Sequence, residues 1–480
     1  MRLNIILSAT KDGVIGQTIT NDLFITSRND LQRFKELTTQ SGQTNILIMG
    51  YYTWKSLPKV LPGRIHVVLS RNHEVKTDGR MLYVFKTMPE IFEWCEKNHD
   101  NANIFVIGGG QVYSEVLTKY NCLVDNVYLT EFGMNCNLEK ESDKVSFDLS
   151  LLKSYRITSS EELYDSVCKI FQKMTNKIDD STRLNVKYLT YRYENKGEEE
   201  YLDMLSEIIT KGSLCESRNG NTISIFGGKM EFNMSDGFPL LTTKQMPWKT
   251  ILRELLWFLS GSTDNKELNK QKVHIWDGNA SKEYLETRGL KYKEGDLGPI
   301  YGFQWRYFGA QYRTCDDNYG GQGVDQINYV INEIINNPSS RRIIMSAWNP
   351  LDLDKMSLPP CHVMCQFHVD QKNNKLDCQL YQRSGDMFLG VPFNIASYSF
   401  LLYIISKLTG YTPGRFIHIF GDCHIYENHI EQVKLQLERR PRPFPTLVMD
   451  DLIDINLIDE MLFKIQDYSS FPGIKAPMSA

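Results

Sequence analysis

At 480 residues, with 41% hydrophobic and 23% charged side chains, the chain is too long for one hydrophobic core and has the ordinary composition of a globular protein with two or three domains. A net charge of −4 excludes a global electrostatic footprint for nucleic acid or an anionic membrane, so the expected partners are small molecules. Its ten cysteines are scattered without a Cys-x-x-Cys pair, which argues against zinc knuckles and a disulfide framework, so the expectations are no metal and a reducing, cytoplasmic compartment.

No apolar run approaches the roughly 20 residues of a membrane helix, and Leu3 to Leu7 is too short for a signal segment before Lys11 and Asp12. Leu3 to Ala9 reads as a buried strand, followed by a turn at Gly13, Val14, Ile15 and Gly16. A helix then begins at Asn29 or Asp30, with Leu31, Phe34 and Leu37 on one apolar face. Taken alone, Asp30 is an acid favoured by the helix dipole. The strand Asn45 to Met49 leads to Gly50, Thr53 and Trp54, and then to Leu61, Pro62, Gly63 and Arg64. A further strand, Val67 to Leu69, ends at Ser70 and Arg71. Ile104 to Ile107 runs into Gly108, Gly109, Gly110, Gln111, Val112 and Tyr113, where a helix begins. Glycines at a helix N-terminus let backbone amides approach a pyrophosphate, although this run is not the dinucleotide fingerprint. The strand Val127 to Thr130 follows.

Ser150 to Ser181 carries polar clusters and a possible helix from Glu161 to Met174, read as a surface elaboration before a closing strand, Val186 to Tyr193. Asn195, Lys196, Gly197, Glu198, Glu199 and Glu200 favour turns and water and mark a boundary, so the expected domains are 1–196 and 197–480. Tyr201 to Ile209 has amphipathic helical spacing, and Arg218 to Asn221 is a loop before the strand Thr222 to Phe226. The helix Ile251 to Leu259 is apolar around most of its circumference, so Glu254 faces a partner or ordered water.

Leu358, Pro359, Pro360, Cys361 and His362 place a thiol between two prolines and an imidazole. The prolines stiffen the backbone before Cys361, and a nearby Arg or His would lower the thiol pKa toward working pH. A lone cysteine here would be a small buried residue after a turn. A dense second stretch, Gln382, Arg383, Ser384, Gly385, Asp386 and on to Asn394, changes that reading.

Together these two stretches resemble the active site of thymidylate synthase, and the resemblance runs from about Tyr201 to Ala480. Residues 1 to about 195 resemble dihydrofolate reductase, so the whole is similar to the fused bifunctional dihydrofolate reductase-thymidylate synthase family. The resemblance implies an α/β and α+β fold class: a doubly wound mixed sheet in the first half and a sheet-and-helix domain in the second. For the reductase it implies that Asp30 holds the pterin and supports protonation, with Phe34, Arg64 and Thr130 completing the folate site. NADPH is the implied cofactor, held by Ile15, Gly16, Gly50, Thr53, Ser70, Arg71, Gly108, Gly109, Gly110, Gln111 and Val112. A carboxylate in an apolar cleft would have its charged form destabilised by desolvation.

For the second half the resemblance implies Cys361 as nucleophile toward dUMP, supported by Glu254 and Tyr301, with 5,10-methylenetetrahydrofolate as methyl and hydride donor. It implies that Arg218, Arg383, Arg341 and Arg342 hold the nucleotide phosphate, the last two donated by the other subunit of a homodimer. Gln382, Ser384, Asp386 and Asn394 line the pyrimidine pocket, His424 and Tyr426 reach the ribose, and Trp276, Asp386 and Ser479 belong to the folate site. The Asn394 amide complements uracil N3–H and O4, whereas a dCMP hydroxymethylase uses Asp there.

Several positions depart from the family pattern. Phe24 or Ile25 stands where a Trp is usual, Tyr51 where Arg or Lys often follows Met-Gly, and Pro247 where some relatives have a His. The competing expectation is a monofunctional thymidylate synthase whose first half is a structural module. RNA binding is a further rival that the acidic balance opposes.

Overall fold

In the computed structural model, which describes residues 3–75, 81–99, 101–153, 155–172, 177–216 and 220–477, the first apolar run forms β1 (Leu3–Thr10) at the centre of a sheet. The chain continues through β2 (Val14–Gln17), β3 (Ile25–Ser27), α1 (Arg28–Thr38), β4 (Asn45–Gly50), α2 (Tyr51–Ser56), β5 (Ile65–Leu69) and β6 (Leu82–Phe85). Next come α3 (Met88–Asn98), β7 (Asn103–Gly108), α4 (Gly110–Lys119), β8 (Val124–Phe132), β9 (Lys144–Ser146), β10 (Tyr155–Gln172) and β11 (Lys177–Tyr193). Nine strands form a mixed sheet in the order β3-β10-β11-β8-β1-β7-β4-β5-β6. The run from β8 to β6 is parallel, and β11, β10 and β3 add antiparallel strands. Helices cover both faces of such a sheet, which is why β1, β4 and β5 read as nearly continuous apolar runs. Because these strands are parallel, Thr10, Gly50, Leu69 and Gly108 all end along one edge, where crevices of this architecture bind ligands.

Three local expectations change. The turn before the first helix is confined to Lys11–Gly13, and Val14 to Gln17 is the buried strand β2. The helix α1 is capped by Ser27, whose Oγ accepts the N–H of Asp30, so Asp30 is the third helical residue. Glu161 to Gln172 is part of β10 and not a helix: Leu163 pairs with Val186, and Cys168 pairs with both Thr182 and Ser27. Having strands on both sides outweighs a weak local helix preference.

The second unit, Asn195–Ala480, opens with α5 (Lys196–Lys211), β12 (Ser213–Cys215), β13 (Thr222–Asn233), α6 (Trp248–Ser260), α7 (Asn265–Lys270), α8 (Asp277–Ala280) and α9 (Lys282–Thr287). It continues with α10 (Tyr301–Tyr307), α11 (Gln326–Asn336), β14 (Ile344–Ser346), β15 (His362–Asp370), β16 (Lys375–Asp386), α12 (Gly390–Thr409), β17 (Thr412–Tyr426), α13 (Ile430–Leu437) and the pair β18 (Thr446–Met449) and β19 (Phe463–Gln466). Six strands form a sheet in the order β12-β13-β17-β16-β15-β14. By length and composition α12 is apolar enough to cross a membrane, against the expectation that no run approaches that length. Ile395, Phe400, Leu401, Leu402, Ile404 and Ile405 are buried in the unit's core, which makes α12 its central helix.

The polar stretch Asn195 to Glu200 is not a water-facing linker. Asn195 caps α5 by accepting the N–H of Glu198, and Glu198 is fully buried. Both Glu198 carboxylate oxygens accept N–H and O–H groups of Thr242 and Thr243 at 2.7 to 2.9 Å. Burial pushes the carboxyl pKa up, and the four threonine donors oppose that shift.

Candidate active sites

The carboxyl edge of the nine-stranded sheet gathers most of the residues expected at a cofactor. Gly50 ends β4, Ser70 and Arg71 follow β5, and Gly108 to Gly110 join β7 to α4. A β-carbon at Gly108 or Gly109 would meet Thr53 Oγ1 at 3.4 Å, and one at Gly50 would meet Val112 Cγ2 at 3.2 Å. Glycine therefore keeps open a cradle between Thr53 and the start of α4, whose dipole favours an anion there. Ile15 borders the same corner, since a β-carbon at Gly110 would lie 3.7 Å from its Cδ1. Gly16 lies beside it in β2, and Gln111 is exposed on the first turn of α4.

The expected phosphate pair divides. Ser70 Oγ donates to His73 O at 2.6 Å and accepts the His73 N–H at 3.3 Å, which commits it to a local turn. Arg71 is exposed and pairs with Glu115 at 3.5 Å. Tyr51, in place of a basic residue, stacks on His73 with ring centroids 4.1 Å apart. His73 thus joins this corner unforeseen. Its only sequence signal is its place shortly after a strand end.

Arg64 is buried and not a solvated turn residue. Its Nη1 donates to Thr38 Oγ1 at 3.0 Å, and its guanidinium lies 5.9 Å from the Phe34 ring. Asp30 faces the hydroxyls of Thr130 and Ser8, and burial pushes its pKa up although these hydroxyls and the Arg33 charge favour the carboxylate. Phe24 is buried with Val14, Ile25, Phe132 and Val186, so the missing Trp is replaced by core packing.

In the second unit the strand register assembles the site. His362 at the start of β15 pairs with Gln382 near the end of β16, and Ser384 and Asp386 pair with Asp422 and His424 on β17. Arg383 donates Nε to Pro360 O and Nη2 to Pro359 O, each at 2.9 Å, and the same Nη2 lies 3.9 Å from Cys361 Sγ. The Cys361 N–H donates to the Tyr301 phenol at 2.7 Å. Tyr301 packs on Phe258 and Trp276, and the Trp276 indole donates to Glu254 Oε1 at 2.7 Å. Glu254 has its pKa pushed up to about 7 by burial, with the indole bond opposing.

Asn394, on the first turns of α12, is buried beside His362. His424 Nδ1 bonds Asp422 at 2.6 Å, and its ring meets Tyr426 edge-on at 5.3 Å. Asp386 Oδ1 accepts the N–H groups of Phe388 and Leu389.

The thiol does not follow the expectation of a lowered pKa. Arg383 pulls it down, but burial pushes it up further, and the net direction is up. His362 adds no cation, because burial pushes its pKa down to about 4. Lys244 was not anticipated: it is buried, its Nζ donates to Phe388 O and lies 3.8 Å from the Phe388 ring, and burial pushes its pKa down to about 7. Its apolar lead-in, Phe238 to Leu241, was the one available signal.

Arg341 and Arg342 are exposed and stand apart from Cys361 in this chain. Arg341 O accepts from Gln366, five residues along the strand from Cys361, a span of roughly 16 Å. Arg218 and Ser479 lie outside the described residues. The tail is anchored up to its described end, where His429 Nε2 donates to Pro477 O at 2.7 Å.

These two sites meet two classes of enzyme in the comparisons with known proteins. The dihydrofolate reductase family model matches residues 2–175, and the thymidylate synthase family model matches residues 199–480. A bifunctional dihydrofolate reductase-thymidylate synthase of Paramecium tetraurelia is 40% identical over 99% of this chain and 98% of its own length. One from Leishmania major is 38% identical over 95% and 89%, and human thymidylate synthase is 53% identical over 59% of this chain and 91% of its own. The chain belongs to the bifunctional dihydrofolate reductase-thymidylate synthase family. It is both a methyltransferase and an NADPH-dependent oxidoreductase, and the full-length matches do not favour a structural first half.

Proposed function

We propose that the chain makes dTMP from dUMP in its second unit and returns the dihydrofolate product to tetrahydrofolate in its first, with the residues described above in the following roles. When bound, methylenetetrahydrofolate supplies a one-carbon unit and a hydride, and NADPH supplies a hydride. Cys361 Sγ attacks C6 of dUMP, which leaves C5 nucleophilic. Arg383 stabilises the thiolate, and Tyr301 holds the backbone of the attacking residue through the Cys361 N–H. Glu254, with its pKa pushed up to about 7, is suited to moving a proton near neutral pH. Asn394 orients the pyrimidine, with Gln382, Ser384 and Asp386 around it. His424 and Tyr426 hold the ribose, and Trp276, Asp386 and Ser479 the folate. In the first unit Asp30 handles the proton, Phe34, Arg64 and Thr130 hold the folate, and the glycine cradle with Ile15, Thr53 and Arg71 takes NADPH.

The hydrogen bond from Cys361 to Tyr301 carries this reading, because it ties the nucleophile to a ring that also packs on the partner of Glu254. Dihydrofolate-dependent oxidation of NADPH and methylation of dUMP by the same chain test it. Asp30→Asn is expected to remove only the first activity and Cys361→Ala only the second. Loss of neither would overturn the assignments.

We also infer a homodimer through the second unit and a reducing, cytosol-like compartment. One face of the six-stranded sheet carries Ile344, Met364, Tyr381, Ile417 and Ile419, and Ile344 and Tyr381 each remain 37% exposed. Exposed Arg341 and Arg342 suit donation to a neighbouring copy's phosphate, with Arg218 and Arg383 of that copy. Free thiols at Cys95, Cys136, Cys215, Cys315, Cys361, Cys365, Cys378 and Cys423 fit reducing conditions. Mixing Arg341→Ala with Cys361→Ala chains is expected to restore methylation through hybrid dimers. Failure to complement would remove the shared site.

A further inference from the structure

By pattern Arg33 belongs to the polar face of α1, with Asn29, Gln32 and Glu36. In the fold Asn29, Gln32 and Glu36 stay exposed, but Arg33 is half-buried. The β10–β11 hairpin lies beside it, and a recess between the hairpin and α1 is lined by Gln32, Arg33, Glu36, Glu161, Leu163 and Tyr188. The Arg33 guanidinium lies 4.5 Å from the Tyr188 ring centroid and 5.9 Å from that of Tyr128. Its Nη1 donates to Thr130 Oγ1 at 3.0 Å.

That bond constrains the Thr130 hydroxyl. A hydroxyl has one proton, and because Thr130 accepts from Arg33, that proton is left for the Asp30 carboxylate it faces. The same hairpin brings a second acid: Asp165 on β10 is fully buried and accepts from Ser27 Oγ, the cap of the helix that carries Asp30. The groups facing Asp30 are Arg33 on its own helix, Thr130 on β8, Ser8 on β1, Asp165 on β10, Tyr188 on β11 and Tyr113 on α4, while Tyr128 on β8 and Glu161 on β10 flank Arg33. Arg33 supplies a cation to this cluster, beside the half-buried Asp30 and the buried Asp165.

We propose that Arg33 is a positioning residue of the reductase site, which orients the Thr130 hydroxyl toward Asp30 and offsets the charge of Asp165, so that the hairpin and α1 together set the proton affinity of Asp30. The inference rests on Asp30 as the proton-handling acid. Desolvation and Asp165 push the Asp30 pKa up, and Arg33 and Thr130 pull it down, so the two substitutions below move it in opposite directions.

The test is the pH dependence of kcat/KM for dihydrofolate in the full-length chain, with dUMP methylation as the control for an intact protein. Arg33→Met is expected to move the apparent pKa of the acid about one unit upward, with Arg33→Lys restoring much of the shift. Asp165→Asn, which keeps the shape of the side chain, is expected to move it downward. A purely structural defect would lower the rate without displacing the profile. Profiles of Arg33→Met and Asp165→Asn that overlay the wild type would overturn the proposal, and Asp165→Asn alone decides it should Arg33→Met not fold. An Asp30→Asn chain that reduces dihydrofolate at the wild-type rate would instead overturn the assignment of Asp30.

Discussion

The indole N–H of Trp276 reaches Glu254 Oε1 at 2.7 Å, and the ring of the same Trp276 lies 6.0 Å from that of Tyr301, whose hydroxyl accepts the N–H of Cys361. One side chain thus touches both Glu254 and the ring whose hydroxyl holds the Cys361 backbone. A donor to a carboxylate favours its charged form, so the indole restrains a titration that burial drives upward.

Trp276→Phe keeps the ring and removes the donor. The pKa of Glu254 is expected to rise further above its value of about 7, by about one unit. The measurement is release of tritium from C5-labelled dUMP as a function of pH. The pH limb of proton loss moves upward, while reduction of dihydrofolate is unchanged.

Arg383→Gln removes the cation nearest the thiol. With burial then unopposed, the Cys361 pKa rises and its thiolate fraction falls. Alkylation of Cys361 by iodoacetamide at neutral pH, followed by mass spectrometry of its peptide, is expected to slow on the order of tenfold.

His362 titrates at about 4 in the folded chain, against an ordinary 6.5. A depressed folded pKa means that the unfolded chain binds the extra proton first, so stability is lost as pH falls from about 6.5 toward 4. Relative to His362→Asn, the wild type is expected to lose up to about 3 kcal/mol across that window, read from denaturant melts of the second unit.

Glu198→Ala strands the N–H and O–H groups of Thr242 and Thr243 without their acceptor. Loss of a buried carboxylate with four satisfied donors is expected to cost about 3–5 kcal/mol, and calorimetry should show the transition of the second unit lowered on the order of 10 °C. Glu198→Gln keeps one acceptor and recovers part of this.

Much of the proposed chemistry was legible because it lies in contiguous stretches. Pro359 to His362 and Gln382 to Asn394 carry their identity in residue order, and the strand ends at Gly50, Ser70 and Gly108 follow from apolar runs interrupted by small residues. Periodicity located α6 and showed that Glu254 could not face open water, because the helix is apolar nearly all round.

Local pattern names the face of an element but not its cover. Glu198 sits in a run that favours turns, yet it is buried because Thr242 and Thr243, more than forty residues away, present four donors. Residues 161–172 became a strand because β11 and β3 offered hydrogen-bonding partners. Tyr188 of that hairpin then packed on Arg33 and helped turn it from a surface charge into a half-buried neighbour of Asp30.

The sequence alone, through its resemblance to two enzyme families, indicated that two enzymes share the chain and named the residues proposed to carry their chemistry, since that resemblance lies in residue type and order. The tertiary structure alone decided the proton affinities at these sites: Cys361 is pushed up, His362 down, and Lys244 and Glu254 both toward neutrality. The reason is that desolvation and charge act through space, between groups that chain order leaves far apart.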